Sequence, residues 1–120
     1  MSHSLVVKVT VGPERLEAMS QALTVSATAL ASGVPVSVWL TGDATYLATP
    51  GYAEKLALPH AAPFSDLRDA LLAAEAVTVC TQCAARRGLE PGDLLSGARI
   101  AGAAALVEEV LADGAQALVY

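Results

Sequence analysis

Two cysteines, three residues apart, are the part of this chain most able to do chemistry. They stand in Val79-Cys80-Thr81-Gln82-Cys83-Ala84-Ala85-Arg86-Arg87-Gly88. A thiol is a nucleophile only as its thiolate, and positive potential from a helix N-terminus or nearby arginines favours that form. Cys80 ends a short apolar run and precedes Thr81, a residue able to cap a helix, so it is expected at a strand-to-helix junction. Arg86 and Arg87 follow about one and a half helical turns later and would add positive potential if either side chain folds back. Cys-x-x-Cys at such a junction suits a nucleophile and a resolving thiol, because one turn brings the two sulfurs within bonding reach. Inert packing remains open for both: an apolar strand accepts Cys80, and a helix facing a sheet accepts Cys83 as a small residue.

The same spacing also serves zinc, but a structural site wants four ligands, and His3 and His60 are the only histidines left to complete one. No metal is therefore expected. His60 follows Pro59 in a long irregular stretch and is a candidate for approach to the site; a solvated loop side chain explains it equally. Asp43 follows a strand-like segment and stands where substrates gather in open α/β sheets, although turn formation also accounts for it. Glycine patterns that cradle phosphate and the Gly-x-Ser-x-Gly elbow are missing, so neither a nucleotide cofactor nor common α/β hydrolase chemistry is expected. Glu108 with Glu109, and Asp66 with Asp69, read as solvated helix faces.

The elements that must position these residues follow from periodicity. Leu5–Val11 is an apolar, valine-rich run halted by Gly12-Pro13 and reads as a buried strand. Leu16, Met19, Leu23, Ala27 and Leu30 then recur at helical spacing until Gly33. Pro35–Leu40 is a second strand, which makes strand, helix, strand a parallel crossover. From Gly42 to Pro63 no period is sustained, and one helical turn is expected near Tyr52–Lys55; the span from Tyr46 to Phe64 is a candidate interface or lid over Cys80. Ser65 can cap a helix carrying Leu67, Ala70 and Leu71 on one side, leading into the strand Val77–Cys80. Thr81 can cap a short helix ending at Gly88. A brief extended segment falls within Gly97–Gly102, a helix places Ala103, Leu106, Val107, Val110 and Leu111 on one face, and Ala117–Tyr120 closes as a strand. This alternation predicts a three-layer α/β/α domain with a mostly parallel sheet of four or five strands.

Composition sets outer limits. The 120 residues are enough for one domain and too few for two. They are 54% hydrophobic and 16% charged, with 25 alanines and five aromatic residues, so the core is built from small side chains. The net charge of -5, without any basic block, argues against direct nucleic-acid binding. No apolar run approaches the roughly 18 residues of a membrane span, and no leader pattern precedes the first strand. A cytoplasmic location is expected, where cysteines are kept reduced or used in redox chemistry.

With these residues in view, the chain resembles the DsrE/DsrF-like family. The resemblance rests on a strand-ending cysteine followed some eight residues later by Arg-Gly and an aliphatic, here Cys80 through Arg87-Gly88-Leu89. It extends to the first strand and long helix, Thr41-Gly42-Asp43 with Pro50-Gly51, Leu58-Pro59-His60, and the stretch from Gly97-Ala98 to Tyr120. It implies a flavodoxin-like fold, a homo-oligomer (trimer or hexamer), and Cys80 as a sulfur carrier that holds a persulfide and exchanges it with donor and acceptor proteins. Asp43, His60, Arg86 and Arg87 are the substrate-binding candidates. Cys83 departs from the simplest one-cysteine pattern and suggests a resolving thiol. Two other readings stay open: a non-catalytic oligomeric binding module, and a Cys-x-x-Cys thiol-disulfide redox protein.

Overall fold

The computed structural model describes residues 3–120. Its regular elements are β1 (Ser4–Val9), α1 (Leu16–Ala31), β2 (Val36–Leu40), α2 (Phe64–Ala73), β3 (Val77–Cys80), α3 (Thr81–Arg86), β4 (Ala98–Ala101), α4 (Ala103–Val110) and β5 (Ala115–Val119). The five strands form one sheet in the order β4-β3-β2-β1-β5, and every neighbouring pair is parallel. Successive strands from β1 to β4 step towards one edge, while α4 carries the chain back to the opposite edge, where β5 pairs with β1. The result is the expected three-layer, flavodoxin-like α/β/α architecture, with helices on both faces.

The two faces differ because strand side chains alternate. Val7 and Val9, Val38 and Leu40, and Val77 and Val79 point to one side and pack with Met19, Leu23, Phe64 and Leu71 from α1 and α2. Trp39 and Thr78 point to the other, where α4 lies, and both are almost fully buried. Yet α4 contributes no fully buried residue of its own. Leu106 and Val110 are half-buried, whereas Val107 and Leu111 are 53% and 76% exposed. The single apolar face expected from sequence is thus split, since an eight-residue helix lying on a sheet presents one i, i+4 row and turns the next row outward.

Other local expectations shift for identifiable reasons. Pro63, not Ser65, occupies the N-cap of α2, and Ser65 lies inside the helix without a capping bond. The buried side of α2 is Phe64, Arg68, Leu71 and Leu72, while Ala70 is exposed. The irregular stretch after β2 contains a seven-residue 3-10 helix, Gly42–Ala48, and a single turn at Ala53–Lys55. In the former Ala44, Thr45, Leu47 and Ala48 are buried; its period of three residues per turn matches neither template used to read amphipathicity. Gly97 adopts φ +99, and a Cβ there would collide with the Leu72 carbonyl, so this turn into β4 requires glycine. Among the described residues no helix is long and apolar enough to cross a membrane.

Candidate functional site

Parallel strands all present their carboxyl ends at one edge, and the loops after β1, β2, β3 and β4 meet there. Cys80 is the last residue of β3 and pairs in register with Ala101 of β4. It is itself the N-cap of α3, with extended backbone (φ -63, ψ 129), so Thr81 is the first helical residue and makes no cap bond as had been expected of it. The Cys80 side chain forms no capping hydrogen bond, but it is half-buried over the first turn of α3. Burial pushes the thiol up. The amide of Cys83, the Cys83 thiol, the amide of Gln82 and the charge of Arg86 together outweigh it and hold Cys80 below the ordinary thiol range. Arg86 is exposed and makes no described hydrogen bond, so its positive charge acts at a distance.

Cys83 sits one turn further and is held differently. The backbone N–H of Gly42, two residues past the end of β2, donates to Cys83 Sγ at 3.2 Å. Gly42 has φ +55, and a Cβ there would lie 3.1 Å from the Thr10 carbonyl oxygen, so the left-handed turn that aims this amide suits glycine. Arg87 closes the arrangement. Its Nε and Nη2 donate to Asp43 Oδ1 at 3.1 and 2.7 Å, and its Nη1 donates to the Cys83 carbonyl at 3.1 Å. Asp43 and Arg87 therefore engage each other in the resting site.

Residues outside the sequence-derived set build the wall beside this pair. The Arg87 guanidinium lies 5.8 Å from the centre of the Tyr46 ring, and Tyr46 packs against Tyr52 at 5.7 Å between centroids. Burial, with the carboxylates of Asp43 and Glu14 and then Tyr46, pushes the Tyr52 phenol up, and its hydroxyl is buried without a hydrogen-bond partner among the described residues. Glu14 accepts from the Gly12 amide at 2.9 Å. Gly12 is there for space: an added Cβ would come within 2.7 Å of Asp43 Cβ. Only the two tyrosines carried a sequence signal, as aromatic residues in an otherwise aromatic-poor chain.

His60 stands elsewhere. It is exposed, with φ +61, and lines a surface cavity with Glu17, Gln21, Thr24 and Leu58 on the outer side of α1. It makes no described contact with either cysteine. Among the described residues no three His, Cys, Asp or Glu side chains are grouped closely enough to hold a metal ion.

A second polar cluster corrects the reading of Glu109 as solvated. On the α4 side of the sheet its carboxylate accepts from Ser37 Oγ at 2.5 Å, from Trp39 Nε1 at 3.0 Å and from Arg99 Nη2 at 2.5 Å, while Arg99 Nε donates to Thr78 Oγ1 at 2.8 Å. Asp69 stays exposed, as read, while accepting from the neighbouring Arg68, which is buried and also makes a bidentate contact to Glu54.

The model of the DsrE/DsrF-like family matches residues 3–119. The YchN protein of E. coli is similar in structure, with a TM-score of 0.78 and 18% sequence identity over 98% of this chain and 99% of that one. MTH1491 of Methanobacterium thermoautotrophicum, described as a protein of unknown function, aligns over the whole of both chains with a TM-score of 0.61 and 10% identity. At these identities the likeness is one of fold. No curated protein matches the chain. The family match spans all but the chain's extreme ends, and the chain belongs to the DsrE/DsrF-like family.

Proposed function

We propose that this protein is a sulfur carrier of the relay type, in which Cys80 takes up a sulfane sulfur as a persulfide and Cys83 is the resolving thiol. One observation carries the reading: Cys80 is half-buried at the N-cap of α3, where peptide dipoles and Arg86 favour the thiolate. The Cys80 thiolate attacks the outer sulfur of a donor persulfide, the donor's S–S bond breaks, and the donor leaves as a thiolate while Cys80 gains one sulfur. An acceptor thiolate reverses the step. A reducing compartment such as the cytoplasm, which keeps thiols available for transfer, is part of the proposal.

Brief exposure to a persulfide donor, followed by peptide mass mapping, tests this. The expected product is one added sulfur atom on Cys80, removable by cyanide and lost in Cys80→Ser. Loss of two hydrogens as a Cys80–Cys83 disulfide, with no sulfur added, would favour thiol-disulfide exchange instead.

The carrier is proposed to work as a homo-oligomer. Val107 and Leu111 on α4, with Leu118 and Val119 on the edge strand β5, are large exposed apolar side chains, and β5 has one unpaired edge. Light scattering is expected to give a multiple of the protomer mass, reduced by Leu111→Glu combined with Val119→Glu. A wild-type monomer would remove this part of the proposal.

A further inference from the structure

The geometry points to a latch at the same site: the Asp43–Arg87 pair holds Cys83 in its resting orientation and thereby slows the release of sulfur from Cys80. This inference rests on the carrier reading for its purpose, but the latch acts on the thiol pair itself.

Two consecutive residues after β2 grip one residue of α3. Gly42 donates its N–H to Cys83 Sγ at 3.2 Å, and Asp43 holds Arg87, whose Nη1 donates to the Cys83 carbonyl at 3.1 Å. Arg87 uses all three of its nitrogens in this arrangement, two on Asp43 Oδ1 and one on Cys83. Tyr46 lies against its guanidinium, and the absence of a side chain on Gly12 leaves room for Asp43. The pair thus ties α3 to the β2 loop at the distance that lets Gly42 reach the sulfur.

The consequence is chemical. Resolution of a loaded site is Cys80–S–SH + Cys83–SH → Cys80–S–S–Cys83 + H2S. The bond between Cys80 sulfur and the outer sulfur breaks as the Cys80–Cys83 bond forms. Cys83 sulfur is oxidised, the outer sulfur is reduced to sulfide, and the Cys83 proton leaves with it. The Cys83 thiol already lies beside the Cys80 thiol at rest, and attack further requires its sulfur to leave the Gly42 N–H and come into line with the bond between the Cys80 sulfur and the outer sulfur. While the latch is closed, the bound sulfur is kept for an acceptor protein.

Asp43→Asn and Arg87→Gln test the latch, with two measurements on each. In persulfide-loaded protein, sulfide release is expected to accelerate about tenfold over wild type. In unloaded protein, equilibration with glutathione is expected to favour the Cys80–Cys83 disulfide about tenfold more, a potential about 30 mV more negative. Asp43→Glu is expected to return both values towards wild type, which a general loss of packing would not allow. Circular dichroism checks folding; should either variant fail to fold, Arg87→Lys, which keeps charge facing Asp43 but loses the planar fork, carries the test. Release and equilibrium unchanged, or shifted the other way, would overturn the latch. Because the glutathione titration needs no sulfur on Cys80, failure of Cys80 to load would sink the carrier reading alone.

Discussion

Arg87 reaches back 44 residues in sequence to place Nε and Nη2 on a single oxygen of Asp43, at 3.1 and 2.7 Å. That contact joins the loop after β2 to the helix after β3, and it depends on a residue that touches neither cysteine. Gly12→Ala would drive a methyl group into Asp43 Cβ. The expected cost is about 1–3 kcal/mol from overpacking, read by urea denaturation, accompanied by faster alkylation of Cys83 as the pair separates. Wild-type stability in this variant would mean that the loop yields without disturbing Asp43.

The lowered Cys80 thiol gives a pH signature. Its rate of alkylation by iodoacetamide is expected to reach half-maximum below the free-thiol value of about 8.5, because more thiolate is present at neutral pH. Arg86→Gln removes a favourable charge, so the midpoint moves up and the rate at pH 7 falls about two- to fivefold, as suits an exposed charge. Mass mapping assigns the reaction to Cys80. A midpoint at or above that of a free thiol would contradict the electrostatic account.

Glu109 fastens α4 to the sheet. Burial raises its carboxyl, but bonds from Ser37 and Trp39 and the charge and contact of Arg99 outweigh this and leave it below the usual range. Glu109→Ala strands the Trp39 indole N–H under α4 and is expected to cost about 2–3 kcal/mol, with a smaller loss in Glu109→Gln, which keeps an acceptor. The fluorescence of Trp39, the sole tryptophan, reports both. Since the folded pKa is the lower one, this contribution is present above the unfolded value of about 4.3 and disappears as pH falls through the folded value.

Arg68 is buried in α2 and held by Glu54 and Asp69. The Arg68 hydrogen bonds lower the Glu54 carboxyl to about 2. Glu54→Gln is therefore expected to lower Tm at neutral pH by leaving the guanidinium short of a charged partner. The gap between variant and wild type is expected to hold above the ordinary carboxylate range and to close as pH falls towards about 2. A scanning-calorimetry series across pH reads this; a gap that is constant down to pH 2 would show that charge pairing is not its cause.

Local order determined much of what was legible in the sequence. β3 falls on Val77–Cys80 as read, because a short β-branched, apolar run directly before a helical segment leaves little choice. The αβ alternation, and with it the placing of Cys80 at a strand end before a helix, follows from two periods that any short window reveals. The family resemblance rested on the same local motif. What the sequence could not determine was pairing between distant residues. Glu109 looks solvated in a one-dimensional pattern, yet it is paired; its partners Ser37 and Trp39 lie about seventy positions away, reached only when α4 crosses the sheet. His60 shares its loop with site-forming residues, but the tertiary path sets it over α1. Asp43 and Arg87 were each identifiable as residues near the site, whereas their bond to each other, and the grip of Gly42 on Cys83, exist because parallel packing brings the ends of β2 and β3 side by side. Sequence therefore determined which groups could react, and tertiary structure decided which of them are held and by what.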